Sequence, residues 1–251
     1  MPSGTTAIQQ LRCSVAIARK DLRIYYSKGP VLILGLLFPG FMFFAFIIGR
    51  DLSIEFMMPG LLGMILFFTA TAISPMVVPW ETMTRTLERL MCCPVWTSTI
   101  IIGDILASFI LGLVSSLVPI IITLALGGTI SSPLILTLAI ILGAFCFASL
   151  GNLFAIPSFN LPMMSNMIAT LVKFPLLFIS GIFISLDELP TWGQAIAYIS
   201  PLTYFTDVAR HCIGGQGHIP VVIDLIAILA FSTVFITLDV KLLSRTMHKR
   251  I

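Results

Sequence analysis

Few side chains in this sequence could bind a metal ion or attack a substrate. Histidine occurs only at positions 211, 218 and 248, and none of these stands at a ligand spacing from a glutamate or a cysteine. The five cysteines are odd in number and lie mostly in or beside apolar segments, so they do not indicate a disulfide framework. We expect no metal site and no catalytic residue in this chain.

The sequence also lacks the loop motif that binds the phosphates of ATP. It contains no Gly-Lys dipeptide, and the Gly-x-x-x-x-Gly-Lys loop that cradles the phosphates of ATP requires one. Any use of ATP therefore depends on another chain.

The clearest group of charged residues lies in the segment "WETMTRTLERLMCCPVW", residues 80–96. We predict a helix over residues 81–91, ended by Pro94 and flanked by Trp80 and Trp96. Four apolar residues share one face of this helix: Met83, Leu87, Leu90 and Met91. Four charged residues share the other: Glu81, Arg85, Glu88 and Arg89. The Glu81–Arg85 spacing suits an i,i+4 ion pair. Such a helix could dock a partner, and the residues alone equally allow a connector that lies on a membrane.

Composition places this charged segment in a membrane protein. Hydrophobic residues make up 58% of the 251 residues and charged residues 10%, whereas soluble domains average roughly 45–50% and 25%. So few charges cannot cover the surface of a water-soluble fold. The net charge of +3 is too small to indicate binding to nucleic acid.

The apolar segments have the length of membrane-crossing helices, for which about 20 residues are needed. The alternation expected of barrel strands is absent. We therefore expect an all-α integral membrane protein in which residues 1–29 form a cytoplasmic segment and residues 30–251 form six transmembrane helices. The six predicted spans are 30–49, 57–79, 100–126, 134–156, 163–185 and 220–241.

The distribution of Lys and Arg predicts the orientation, because these residues concentrate in cytoplasmic loops. Eleven of the 14 fall on one side of the predicted spans: Arg12, Arg19, Lys20, Arg23, Lys28, Arg85, Arg89, Lys241, Arg245, Lys249 and Arg250. The opposite side carries Arg50 and Arg210. We expect both termini to lie in the cytoplasm of a cell whose plasma membrane the chain crosses.

Two further segments are expected not to cross the membrane. Residues 7–28 place apolar side chains on one helix face and arginines elsewhere, which suits a helix lying in the membrane interface. Residues 186–212 are divided by Pro190 and Pro201 into two pieces of about ten residues, each too short to span. These pieces fit two short helices that dip into the outer leaflet, and a loop lying on the outer surface is the alternative. Interfacial aromatic residues are expected on this side: Trp192, Tyr198 and Tyr204.

Charged residues inside the spans are few. Lys173 falls about ten residues into the fifth predicted span, with no acidic residue nearby in sequence. It either faces a dimer interface or hydrated cavity, or reaches back to the cytoplasmic surface. Asp104, Asp224 and Asp239 are near span ends, where we expect their charges to reach water.

The segment around residues 80–96 resembles the corresponding loop of the type 2 ABC transporter permease family, the membrane subunits of drug and polysaccharide exporters. The matching residues are Glu81, Thr86, Leu87, Glu88, Leu90, Pro94 and Val95. Arg85 stands where glycine is usual, and Cys93 where threonine is usual. A second motif matches at Ser180, Gly181, Phe183, Leu189, Pro190, Pro201, Leu202, Thr203, Tyr204 and Arg210, with Ser200 in place of asparagine.

The resemblance covers nearly the whole chain and implies a mechanism. It implies that the N-terminal helix is a gate or elbow helix, that the loop after the second span is a coupling helix seated on a separate ATPase subunit, and that residues before the last span form re-entrant outer helices. The coupling residues would be Glu81, Arg85, Thr86, Leu87, Glu88, Leu90 and Pro94. ATP and Mg would be bound by that partner, and two permease chains, identical or different, would complete the transporter.

We therefore predict the permease subunit of an ATP-driven exporter of a drug-like, lipid-linked or polysaccharide substrate. Lys173, Ser180 and Gly181 are the candidate residues of a substrate pathway. The alternatives are a membrane-embedded lipid-modifying enzyme, which would need a polar active site at membrane depth, and a membrane assembly protein that transports nothing.

Overall fold

The computed structural model describes residues 7–26, 33–48, 53–93, 95–155, 162–184, 186–213 and 217–248. In these ranges the chain is all-helical. The helices in chain order are α1 (Ala7–Asp21, continued by a π-helical turn Leu22–Tyr26), α2 (Phe38–Ile47, preceded by a π-helical turn Ile33–Leu37), α3 (Ile54–Ala70), α4 (Ser74–Met83), α5 (Thr86–Met91), α6 (Thr97–Ala125), α7 (Pro133–Leu153), α8 (Pro162–Ile179), α9 (Thr191–Ala197), α10 (Pro201–Cys212) and α11 (Val221–His248).

Five helical segments of the described chain are long and apolar enough to cross a membrane. They are Ile54–Met83, Thr97–Ala125, Pro133–Leu153, Pro162–Ile179 and Val221–Leu243. They correspond to the second through sixth predicted spans. Of the first predicted span, the described part forms the shorter apolar helix Gly35–Ala45, and residues 30–32 and 49 lie outside the described ranges.

The second span is broken near its middle, at Pro75. α3 ends at Thr71, and α4 begins at Ser74 with Pro75 in its first turn. Proline lacks the N–H that would continue the helical ladder, so carbonyl groups at the end of α3 need other donors.

The core of the bundle is built around the short helix α10, which packs against α3, α7 and α11. Phe67 of α3, Phe147 of α7 and Phe205 of α10 form an edge-to-face stack, with ring centroids 5.2 Å and 5.7 Å apart. Gly143 of α7 admits the Phe205 ring, which lies 2.5 Å from where a Cβ atom at residue 143 would be. Small residues let membrane helices approach closely, and here they seat α10 between three long helices.

The two ends of the bundle are chemically different. At one end, called here the charged end, lie α1, α5, the start of α6 and the last turns of α11. At the opposite end, the backbone N–H of Ser131 donates to the carbonyl of Cys212, which joins the α6–α7 loop to the end of α10. The candidate coupling residues are at the charged end.

Candidate functional site: the junction of α1, α4, α5 and α6

The predicted continuous helix over residues 81–91 is wrong, because the chain breaks between α4 and α5. Arg85 adopts a left-handed conformation with φ 56° and ψ 19°, which interrupts the helical hydrogen bonds. Two threonine hydroxyls bind carbonyls at the end of α4: that of Thr84 donates to Trp80 (3.0 Å), and that of Thr86 donates to Glu81 (3.2 Å). Thr86 thereby fixes the start of α5 to the end of α4.

Arg85 is the one non-glycine residue with a positive φ in the described ranges. A side chain in this conformation costs roughly 1–2 kcal/mol, which explains why glycine is usual at this position in the resembling family.

We predict opposite effects from two substitutions at this position. Arg85→Gly relieves the strain and is expected to raise the free energy of unfolding by roughly 1 kcal/mol. Arg85→Val is expected to lower it by a similar amount, because β-branched residues tolerate this conformation poorly. Thermal unfolding in detergent measures both, and equal shifts in the same direction would contradict a left-handed residue here.

α5 presents two faces. Leu87 is buried, and Leu90 and Met91 are half-buried against a cluster that contains Ile17 of α1 and Ile100 of α6. The side chains on the other face are exposed: Glu88, Arg89, Cys92 and Cys93. Met83, which was predicted to share the apolar face, is 59% exposed because it precedes the break. Pro94 lies outside the described residues.

The prediction that Glu81 lies on the exposed charged face is wrong. Its side chain is buried inside the junction. Its carboxylate accepts a hydrogen bond from the ammonium group of Lys20 in α1, and it forms no ion pair with Arg85 in the described structure. The same ammonium group lies 3.0 Å from a carboxylate oxygen of Asp21. Burial alone would lower the pKa of Lys20, but the two carboxylates outweigh it and hold this pKa above its usual value.

A second buried contact joins α1 to α6. The carboxyl groups of Asp21 and Asp104 are both buried and close enough for their charges to interact, and their oxygens accept no hydrogen bond from the described residues. Burial raises the pKa of Asp21, and two adjacent carboxyl groups away from water cannot both ionise. Burial and the nearby Glu81 carboxylate also raise the pKa of Tyr25 to about 12. Lys20 is the cation that compensates the nearby carboxyl groups of Asp21 and Glu81.

Polar contacts fix the rest of α1 on the start of α6. The Gln10 side-chain oxygen accepts hydrogen bonds from the Thr99 hydroxyl (2.7 Å) and from the backbone N–H of Trp96 (3.2 Å). The Ser14 hydroxyl donates to the Thr99 carbonyl at 3.0 Å. Gly103 lets Ile17 approach, since a Cβ at residue 103 would lie 2.7 Å from that side chain.

These contacts make α1, α4, α5 and the start of α6 one packed unit. The unit brings Glu81, Thr86, Leu87 and Leu90 together, and it leaves Arg85, Glu88 and Arg89 on its exposed side. Within this unit the Glu81–Lys20 pair joins α4 to α1, and the buried apolar cluster joins α5 to α1 and α6.

Sequence reasoning missed Lys20, Asp21 and Asp104 as members of this site. The expectation that Asp104, Asp224 and Asp239 reach water is wrong, since all three are buried. An acidic residue inside an otherwise apolar span was the available signal for Asp104, because such residues are costly there and usually have a partner. The nearby Asp21 and Lys20 are more than 80 residues away in sequence, and only folding brings them close to Asp104.

The candidate pathway residues lie elsewhere and make contacts within the chain. Lys173 of α8 is buried, and its ammonium group donates to the carbonyl of Thr71, where α3 ends. The carbonyl of Ser180 accepts a bond from the Thr206 hydroxyl (3.0 Å), and the carbonyl of Gly181, which has φ +78°, accepts one from Arg210. Lys173 thus binds the break in the second span, and the turn after α8 is joined to α10.

The segment over residues 186–212 divides into two short helices at the prolines, as predicted. Pro190 is the N-cap of α9 and Pro201 begins α10. Trp192 is exposed, and the Tyr204 hydroxyl donates to the Tyr198 carbonyl at 2.8 Å. Arg210 places its guanidinium 4.4 Å from the centroid of the Phe56 ring, which joins α10 to the start of α3.

A helical, multi-pass membrane protein with a charged junction at one end is the class that this fold and site define. The family model described as ABC-2 type transporter matches residues 14–213. The chain belongs to the ABC-2 type transporter family, and it is a membrane permease of that class.

Curated relatives agree with this assignment. The chain is 27% identical over 192 residues to the protein named inner membrane transport permease YadH of Escherichia coli strain K12. Proteins with the same name from Escherichia coli O157:H7 and Shigella flexneri match equally. The match covers 76% of this chain and 75% of each relative. It is similar to these permeases, and their name describes a transport protein of the inner membrane.

Proposed function

We propose that this chain is the permease subunit of an ATP-driven exporter and that α5 is the coupling helix that docks on a separate ATPase subunit. The observation that carries the proposal is the position of α5. Its apolar side is anchored at the charged end by Leu87, while Glu88 and Arg89 remain exposed beside the ion pair that connects α4 to α1. An exposed charged face on a well-packed support suits the binding of a partner whose conformational change displaces α5.

ATP and Mg would be held by that partner, because this sequence contains no phosphate-binding loop. Closure of two ATPase subunits around ATP would displace the coupling helices of two permease chains. The junction would carry this displacement into α1 and α6 and open a path between the permeases for a drug-like, lipid-linked or polysaccharide substrate.

The proposal includes six spans with the charged end in the cytoplasm. α2 is the described part of the first span, and the distribution of Lys and Arg supports the orientation. We propose further that α9 and α10 are re-entrant helices of the outer leaflet. The burial of α10 among α3, α7 and α11 supports this, since a segment lying on the surface would not reach Gly143 in the middle of α7.

The function is tested by purifying the chain with the ATPase that accompanies it and reconstituting both in lipid vesicles. We expect ATP hydrolysis that depends on the permease and is stimulated by a substrate. An accompanying ATPase whose hydrolysis is unaffected by the permease would support an assembly role instead.

A substrate-path role for Lys173 stays a prediction, and its contact with Thr71 provides a sharp test. If Lys173 mainly stabilises the break in the second span, Lys173→Met leaves a buried carbonyl without its donor. This is expected to cost about 1–3 kcal/mol of unfolding free energy. The melting temperature in detergent measures it, with Leu171→Met on the exposed side of α8 as the control. An unchanged melting temperature together with altered substrate-stimulated hydrolysis would instead support the pathway role.

A further inference from the structure

The rotation of α1 about its axis is set by the face that packs on α6. Gln10, Ser14, Ile17 and Asp21 are buried, and their contacts to α6 and to Lys20 leave no freedom to turn the helix. Because successive helical residues are separated by about 100°, these four side chains point within a sector of roughly 60°. The directions of all other side chains on α1 follow from this.

An apolar stripe on α1 points away from the protein. Ile8, Leu11 and Val15 are 66%, 62% and 56% exposed. Three aliphatic side chains on successive turns with nothing of this chain over them fit the hydrocarbon edge of a bilayer. Such a face suits a helix that lies where headgroups and acyl chains meet.

Arginines form a row along the next part of the exposed surface. Arg12 and Arg19 are both exposed and stand at i and i+7, within about 20° of each other around the helix. The row is opposite the buried face and borders the apolar stripe. Residues 7–20 contain no acidic residue. Asp21 is buried and forms an ion pair with Lys20. The charge of the row is therefore not cancelled by α1 itself.

We propose that this arginine row binds the phosphate groups of anionic phospholipids in the leaflet where α1 lies. Guanidinium groups form paired hydrogen bonds with phosphate, and a basic row beside an apolar stripe holds them at headgroup height. The row selects lipids with net negative charge, since the phosphate of a zwitterionic lipid carries its own cation. The proposal depends on α1 lying in the membrane interface and not on ATPase docking, so the two can fail separately.

The test uses the full chain in vesicles of phosphatidylcholine with a minor fraction of phosphatidylglycerol. Spin-labelled analogues of the two lipids report how far each is enriched at the protein surface. We expect wild-type protein to enrich the anionic lipid, and we expect Arg12→Gln/Arg19→Gln to lose up to roughly 25-fold of that preference, since each basic residue near an anionic surface contributes about five-fold. Arg12→Lys/Arg19→Lys, which keeps the charge, is expected to retain most of it.

The matched control removes the same charge from the C-terminal tail with Arg245→Gln/Arg250→Gln. An equal loss in this control would overturn the proposal, because general charge would then explain the enrichment. A preference for the anionic lipid that Arg12→Gln/Arg19→Gln retains would also overturn the proposal. A wild-type preference that survives 1 M salt would contradict it independently of any variant. If Arg12→Gln/Arg19→Gln leaves the lipid preference intact but releases the accompanying ATPase, the row binds protein and the proposal is wrong.

Discussion

Loss of the Lys20–Glu81 ion pair is expected to destabilise the junction and to uncouple it from the ATPase. Lys20→Met leaves the buried carboxyl groups of Asp21, Glu81 and Asp104 without a cation, and Glu81→Gln leaves the ammonium group with a weaker partner. Removing one partner of a fully buried ion pair costs roughly 3–5 kcal/mol, and the cost here is lower because the Lys20 side chain is 28% exposed. We expect Lys20→Met to have the larger effect on the free energy of unfolding and to abolish the permease-dependent part of ATP hydrolysis.

A double-mutant cycle distinguishes this pair from general damage. If the two side chains interact directly, Lys20→Met/Glu81→Gln costs less than the sum of the single variants, and the difference is their coupling energy. Arg19→Met, which removes an exposed neighbouring charge, is expected to leave stability in detergent unchanged. Strictly additive effects of the two single variants would show that Glu81 and Lys20 do not depend on each other.

Filling the space at Gly143 is expected to displace α10 from the bundle. A Cβ atom there would lie 2.5 Å from the Phe205 ring, which is itself held against Phe147. Overpacking of this kind usually costs 1–3 kcal/mol, and a larger side chain costs more. We expect Gly143→Ala to lower the melting temperature in detergent and Gly143→Leu to prevent recovery of folded protein.

Two further variants make this prediction specific. Gly143→Ala/Phe205→Leu is expected to regain part of the stability lost by Gly143→Ala, because the smaller side chain vacates the contact. Gly40→Ala in α2 is the control, since no heavy atom lies within 4 Å of the added methyl group. If Gly143→Ala is as stable as wild type, α10 does not pack against α7 as described.

The long spans were predictable because their length and apolar composition do not depend on tertiary contacts. The two faces of α5 and the divisions at Pro190 and Pro201 were also predictable from spacing and from proline geometry. The break at Arg85 was not, because residues 81–91 suit a helix and only the folded backbone requires a left-handed residue. The glycine usual at this position in the resembling family was the available signal.

The members of the candidate site were harder to predict than its location. The helical spacing predicts that Glu81 shares an exposed charged face with Arg85 and Glu88. It is buried because the break after Met83 turns α5 away from α4 and because Lys20, 61 residues earlier, supplies a cation. Pairings over such distances are set by packing, and neither periodicity nor local charge predicts them.

The central claim, that the exposed face of α5 docks on an ATPase, is tested most directly by photo-crosslinking from this face. A crosslinking amino acid is placed at Glu88 or Arg89 on α5, and at Ser131 at the opposite end of the bundle as the control. We predict that the purified complex yields a covalent product with the ATPase from residues 88 and 89 and none from residue 131. Crosslinking from residue 131, or no ATPase product from α5 in a complex that retains the ATPase, would contradict the account.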